Sequence, residues 1–104
     1  MTSYKYYEIL PDATKQFKEA RLYYKLTRVK GLSTRFAQSV NEAIKQILKN
    51  PGAYAIRYKN IRIAYTTTFP YAIHFITGEK SIIIVAIIHN KKDSIPNISS
   101  TVFK

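Results

Sequence analysis

Four polar residues that could act on an anionic substrate lie in the C-terminal half of the chain. Arg62 stands in a stretch of alternating apolar residues, and His89 ends an apolar run that Lys91 and Lys92 follow. An arginine offers a planar, five-donor fork that suits a phosphate or its transition state, and an imidazole can move a proton at neutral pH. These residue types, combined, are compatible with cleavage of a phosphodiester.

Each of the four also has a plain structural explanation. Arg62 could be a solvated charge on an outward strand face, because arginines are exposed by default. His89 could bond a nearby carbonyl at a strand end, and the two lysines could keep that end soluble. A single histidine without a visible partner is not a catalytic site, so the sequence leaves both interpretations open. His74 lies within an apolar strand and is expected to be a packed, neutral, hydrogen-bonded side chain.

Tyrosine is frequent, with nine copies in 104 residues. Most are expected at the edge of the core, with the ring inward and the hydroxyl in water. Tyr65 and Tyr71 adjoin the basic strand, where their rings could also stack on bases. The predicted target-binding residues are therefore Arg62, Tyr65, Tyr71, Lys91 and Lys92.

The charge balance indicates the class of partner. Seventeen Lys and Arg face six Asp and Glu, for a net charge of +11, and so basic a domain is attracted to polyanions. Nucleic acid, an RNA-rich machine and an acidic protein are all compatible with it. Lys18, Arg21, Lys25 and Arg28 recur at three- and four-residue spacing in the first predicted helix. This basic stripe is expected to meet an acidic protein or nucleic acid.

Several classes of function are excluded or disfavoured. Cysteine is absent, which removes disulfides, thiolate metal sites and cysteine nucleophiles. The three glycines form no phosphate-cradling loop, and no His, Asp or Glu spacing is typical of a metal site, so we expect neither metal nor cofactor. The longest apolar run, 81–88, is far shorter than the roughly 20 residues of a membrane span. With no signal-peptide pattern at the start, a cytoplasmic protein without a membrane partner is expected.

Apolar periodicity predicts a short strand and then two helices. The strand covers Lys5 to Leu10, and Pro11 opens the first helix. Gly31 breaks it, and Ser33 or Thr34 is expected to cap the second helix. Because the link is short, the helices should form an antiparallel hairpin. The predicted buried positions are Ala13, Phe17, Ala20 and Tyr24, then Phe36, Val40, Ala43, Ile44, Ile47 and Leu48.

Beyond the second helix the period changes to two. Segment 54–58 is expected to be irregular or an edge strand and is not counted in the order below. Three regular strands are expected at 61–65, 69–77 and 82–89, the last buried on both faces. Gly78 lies in the final hairpin turn, where it could supply a positive φ. The order β-α-α-β-β-β predicts an α+β fold in which a helical hairpin packs on a small antiparallel sheet.

In this order and spacing the chain resembles the ParE/RelE superfamily of bacterial toxins. The residues that carry the resemblance are the hairpin ending in Asn50-Pro51, the strand around Arg62, the FPYAIHF strand and the IIIVAIIHNKKD strand. It covers 4–96 and implies one toxin domain over 1–104. Pro96 and the serines near the end of the chain predict a loosely ordered tail from about 95. Such toxins, also called plasmid stabilisation proteins, belong to type II toxin–antitoxin modules.

The resemblance implies an acidic antitoxin whose C-terminal segment wraps the toxin. For that contact the candidates are the residues of the basic stripe, Lys18, Arg21, Lys25 and Arg28. RelE-like members cut messenger RNA in the ribosomal A site, whereas ParE-like members inhibit DNA gyrase without known hydrolytic chemistry. RelE-like chains cluster basic residues with a tyrosine or histidine near the C-terminus, but this chain has no tyrosine after Tyr71.

We therefore predict a ParE-like toxin that inhibits DNA gyrase, and hence replication, by binding. The Phe-Pro-Tyr strand and the long helical hairpin favour this branch. The alternative is a RelE-like, ribosome-dependent endoribonuclease, in which Arg62, His89, Lys91 and Lys92 would be the catalytic candidates. A second alternative is a basic binding module without toxicity.

Overall fold

The computed structural model describes residues 3–90. Its elements are strand β1 (Tyr6–Ile9), helix α1 (Pro11–Leu26), helix α2 (Leu32–Lys49), a 3-10 turn (Pro51–Ala53) and strands β2 (Ile56–Tyr58), β3 (Ile61–Tyr65), β4 (Tyr71–Thr77) and β5 (Ser81–His89). The predicted α+β fold, a helical hairpin and a small sheet, is confirmed. Lys91, Lys92 and the tail predicted from about 95 lie outside the described residues.

The five strands form one sheet in the order β1-β5-β4-β3-β2. Three neighbouring pairs are antiparallel, and β1 pairs with β5 in parallel. The parallel pair was not predicted, because the partner of β1 depends on where the two helices return the chain. The expected irregular strand at 54–58 is the short edge strand β2. As predicted, β5 lies between two other strands, and its isoleucines are largely buried.

Helix α1 forms where the sequence favours it. Pro11 occupies an early helical position and an aspartate lies in the first turn, which suits the positive end of the helix dipole. Of its predicted apolar stripe, Ala13 and Ala20 are buried, and Phe17 and Tyr24 are partly buried against the core. Helix α2 buries Phe36, Val40, Ile44 and Ile47, with Ala43 and Leu48 partly buried.

The link between the helices differs from the prediction in two places. Helix α2 begins at Leu32, preceded by Gly31 at φ 77°, so neither Ser33 nor Thr34 is the cap. Glycine takes this left-handed conformation without a steric penalty, which lets the helix start earlier. Helix α1 ends at Leu26, so Arg28 lies in the link rather than on the helix.

Phe36 is the centre of the core between the helices and the sheet. Its ring lies 5.7 Å from that of Phe17 in α1, and 5.4 Å and 5.0 Å from those of Phe69 and Tyr71. Tyr24 adds a fourth ring at 5.2 Å. These contacts attach the helical hairpin to the start of β4.

Position 78 requires glycine because a larger residue would collide with the backbone, and not because φ is positive there. Among the described glycines only Gly31 has a positive φ, so that prediction is wrong. A Cβ atom at Gly78 would lie 2.8 Å from the backbone oxygen of Ser81. The carbonyl of Gly78 also accepts the hydroxyl of Tyr4 at 2.8 Å. The turn is therefore tightly packed between Gly78 and Ser81.

Candidate functional site

Arg62 is half-buried in β3 and holds the chain that follows helix α2. Its Nη1 donates a hydrogen bond to the carbonyl of Tyr54. Arg62 pairs across the sheet with Phe75, and paired residues share a sheet face. Phe75 is fully buried in the core that the helices cover. Arg62 thus lies at the margin of the helix side of the sheet rather than on a solvated outward face.

The two main catalytic candidates are not brought together. Arg62 pairs with Phe75 of β4, whereas His89 pairs with Tyr71 of the same strand. The four-residue offset between Tyr71 and Phe75 corresponds to roughly 13 Å along the strand. His89 also lies in β5 and Arg62 in β3, on opposite sides of β4. The backbone thus holds Arg62 and His89 at separate positions along and across the sheet.

The two tyrosines predicted to bind a target lie on opposite faces of the sheet. Tyr65 pairs with Ala72, the neighbour of Tyr71, and successive strand residues point to opposite faces. Tyr65 is 54% exposed on the face away from the helices. Tyr71 is partly buried on the helix side, with its ring 5.0 Å from that of Phe36. Only Tyr65 offers most of its ring to a partner.

His89 and Tyr71 line a groove between α1 and the ends of β4 and β5. Their rings lie 5.3 Å apart and nearly perpendicular. The groove has a volume of about 690 Å³, and helix α1 contributes Gln16, Glu19 and Tyr23 to its wall. No lysine or arginine lines it among the described residues. A phosphoryl-transfer site needs positive charge where the transition state becomes negative, so the described groove suits binding better than such chemistry.

Gln16 was missed by sequence reasoning. Its Oε1 accepts the backbone N–H of Ile87 at 2.9 Å, on the part of β5 that extends beyond its pairing with β1. The side chain thus satisfies a strand-edge donor and ties α1 to the groove. No sequence signal identifies this bond, because a glutamine beside a buried stripe usually faces water.

His74 and Tyr58 form a buried polar pair on the other sheet face. His74 is 2% exposed, and its Nδ1 lies 2.7 Å from the hydroxyl of Tyr58. Burial lowers the pKa of His74 to about 4 and raises the pKa of Tyr58. The expectation of a packed, neutral, hydrogen-bonded histidine agrees with this geometry, whereas its tyrosine partner was not predicted.

The four residues of the basic stripe are exposed but divide between two surfaces. Lys18 lines a shallow groove beside β1 together with Lys15, Ile9 and Leu22. The other three lie around the link between the helices, in a separate pocket. We call the first surface the β1 groove and the second the hairpin-tip pocket, which is lined by Arg21, Lys25, Arg28, Val29, Lys30, Gly31, Ser33 and Thr34.

The sequence match decides the family. Residues 7–94 match the family described as the ParE toxin of the type II toxin–antitoxin system parDE. This chain belongs to the ParE toxin family. No curated protein matches it.

The fold of this ParE-family toxin is shared with a solved structure described as the chromosomal ParDE TA system from P. aeruginosa. The two chains superpose with a TM-score of 0.69 and 17% sequence identity, over 86% of this chain and 96% of that chain. At that identity the similarity concerns the fold.

The described part of this ParE-family toxin offers no metal site and no membrane-spanning helix. Across residues 3–90, no three His, Asp or Glu side chains cluster in a way that could hold a metal ion. Neither described helix has the length and apolar character needed to cross a membrane.

Proposed function

We propose that this chain is the toxin of a type II module and that it inhibits DNA gyrase by binding it. The observation that carries the proposal is the match to the ParE toxin family over 7–94. The geometry supports a binding mechanism, because Arg62 and His89 lie roughly 13 Å apart along the strands.

The ribonuclease alternative is less well supported. It requires a base, an acid and a stabiliser of negative charge around one phosphate. Arg62 is bonded to a carbonyl at the other end of the sheet, and the described groove around His89 contains no cation. Lys91 and Lys92, the remaining candidates, lie outside the described residues.

Within the predicted target-binding set, Tyr65 is the residue we propose to contact gyrase. It is exposed, and it lies on the sheet face that the helices leave uncovered. Arg62 and Tyr71 are bonded or packed within the toxin itself, so their substitution would also disturb the fold. Exposed tyrosines are frequent energetic anchors of interfaces.

Tyr65→Ala should weaken inhibition of gyrase supercoiling by roughly tenfold or more, the loss expected for an interface anchor of about 2 kcal/mol. The measurement is supercoiling of a relaxed plasmid by purified gyrase across a titration of toxin. Tyr6→Ala is the matched control, because Tyr6 is an exposed tyrosine on the edge strand β1, three strands away from β3. Thermal melting of both variants reports whether either change disturbs the fold.

Three outcomes would contradict the proposal at different levels. Normal supercoiling in excess wild-type toxin would exclude gyrase as the target. An equal loss of inhibition in both tyrosine variants would contradict the proposed contact between Tyr65 and gyrase. In induced cells, an early collapse of methionine incorporation, with thymidine incorporation holding, would favour the ribonuclease alternative, and unaffected growth would favour a non-toxic binding module.

We also propose that an acidic antitoxin segment occupies the β1 groove. Ile9 and Leu22 provide apolar surface there, and Lys15 and Lys18 outnumber the one acidic lining residue, Glu19. An acidic, partly apolar segment would satisfy both. Of the four stripe residues predicted to bind antitoxin, Lys18 therefore keeps that role.

The association of toxin and antitoxin should depend strongly on salt. Opposite net charges steer encounter, so lowering NaCl from about 300 to about 50 mM should raise the on-rate by about tenfold or more. Stopped-flow fluorescence with the acidic protein encoded beside the toxin would measure it. Lys15→Gln with Lys18→Gln should reduce the salt effect more than Lys45→Gln with Lys80→Gln. An on-rate independent of ionic strength would exclude electrostatic steering.

A further inference from the structure

The hairpin-tip pocket concentrates positive charge in a cavity of about 390 Å³. Four cationic side chains line it, those of Arg21, Lys25, Arg28 and Lys30, and no acidic residue does. Surface cations are usually interspersed with acids, which reduce their mutual repulsion. An anion bound in this cavity would reduce the repulsion among the four cations.

Helix α2 directs its positive end toward the same pocket. Its first turn contains no acidic residue, and no side chain caps it. The N–H of Leu32 bonds to the carbonyl of Val29, and that of Arg35 to the carbonyl of Gly31. Within residues 3–90, the N–H groups of Ser33 and Thr34 have no such backbone acceptor. Two backbone donors at the positive end of the dipole thus remain for an external anion.

Arg21 links the two halves of the pocket. Its Nε donates to the hydroxyl of Ser33 at 3.2 Å, which brings a guanidinium from α1 to the first turn of α2. A guanidinium with donors to spare can bind two oxygens of a phosphate at once. Lysines add charge without demanding a particular geometry.

We propose that the hairpin-tip pocket binds phosphate groups of a nucleic-acid backbone. Its donors are guanidinium, ammonium and backbone N–H groups, the set that proteins use to position phosphates. Val29 is its only large apolar lining residue among those described. An acidic protein segment with apolar side chains matches the β1 groove better, because Ile9 and Leu22 lie there. The proposal does not depend on gyrase being the target.

The salt dependence of nucleic-acid binding tests the pocket. Fluorescence anisotropy would follow a labelled DNA duplex, and RNA of the same sequence, against purified toxin at several NaCl concentrations. Lys25→Gln with Lys30→Gln removes two pocket cations. Lys45→Gln with Lys80→Gln removes the same charge from exposed positions outside it. The control corrects for the loss of net charge.

Because the pocket variant can neutralise two fewer phosphates, the slope of log K against log salt should become less steep by about 1.8. Affinity at moderate salt should fall by about tenfold or more, and the control should change much less. Equal effects in both double variants would overturn the proposal and indicate diffuse attraction. Binding of inorganic phosphate, with no binding of DNA or RNA, would overturn it in favour of a small-anion site.

The variant Thr34→Glu distinguishes a loss of nucleic-acid affinity from a loss of stability. It introduces a carboxylate at the third position of α2, which stabilises a helix that has no acid in its first turn. The melting temperature should rise by about 2–5 °C, while affinity for the nucleic acid falls because the carboxylate occupies the anion's place. Unchanged affinity in this variant would overturn the proposal.

Discussion

Replacing Phe36 by alanine is expected to lower the free energy of unfolding by about 3–5 kcal/mol. Phe36 is fully buried, and its ring contacts aromatic rings from α1, from the residues before β4 and from β4 itself. Truncation leaves a cavity where the helical hairpin meets the sheet. Natural domains are stable by only about 5–15 kcal/mol, so this change alone should bring the protein close to unfolding at growth temperature.

Urea denaturation followed by far-UV circular dichroism measures the effect. Phe36→Leu keeps most of the volume and should cost less than about 1.5 kcal/mol. Leu26→Ala truncates a residue that is 70% exposed and should be nearly neutral. If Phe36→Ala lost no more than Leu26→Ala, the helical hairpin would not be packed on the sheet through this residue.

Lowering the pH from 7 to 4 is expected to remove about 3 kcal/mol of stability through His74 alone. Burial lowers the pKa of this imidazole to about 4 in the folded state, against about 6.5 in the unfolded chain. Between those two values the unfolded state binds the proton and the folded state does not. The contribution is therefore present above pH 6.5 and is lost as the pH falls to 4.

The surroundings of His74 explain the direction of its shift. Its cross-strand neighbours are Ile63 in β3 and Ala86 in β5, so neither offers a carboxylate to an imidazolium. The hydroxyl of Tyr58 can donate to Nδ1 of the neutral ring. Protonation would charge a ring that is 2% exposed, and desolvation makes that state costly.

Two measurements check the prediction about His74. NMR should show its ring titrating with a midpoint near 4, and a midpoint near 6.5 would contradict the burial argument. In denaturation curves at pH 4 and pH 7, His74→Gln should lose most of the stability difference that wild type shows. His89→Gln is the matched control, because it removes the other histidine of the chain and leaves His74 in place.

Local sequence patterns were sufficient to predict the helices and most of the strands. The stripe from Phe36 to Ile47 identifies a buried helix face, because a helix returns every 3.6 residues whatever surrounds it. The β5 strand is likewise recognised locally, because every residue from Ile82 to Ile88 is apolar. These features depend on residues close together in the chain.

The relative positions of the nuclease candidates depend on information of the opposite kind. The chemistry of their side chains groups Arg62 with His89, but their relative position depends on strand order and register. Gln16 on Ile87 and Tyr58 on His74 are likewise pairings between distant segments. The spacing of residues within one segment cannot predict which distant residue its side chains will contact.

The sequence by itself determined the element order, the core faces of the helices, the basic charge and the resemblance to the toxin superfamily. Tertiary structure alone decided which polar side chains meet. It separated Arg62 from His89, placed Tyr65 and Tyr71 on opposite faces, and gathered the cations of α1 and its link around the first turn of α2. The physical reason is that secondary structure follows from the spacing of neighbours, whereas a binding site follows from how distant elements pack.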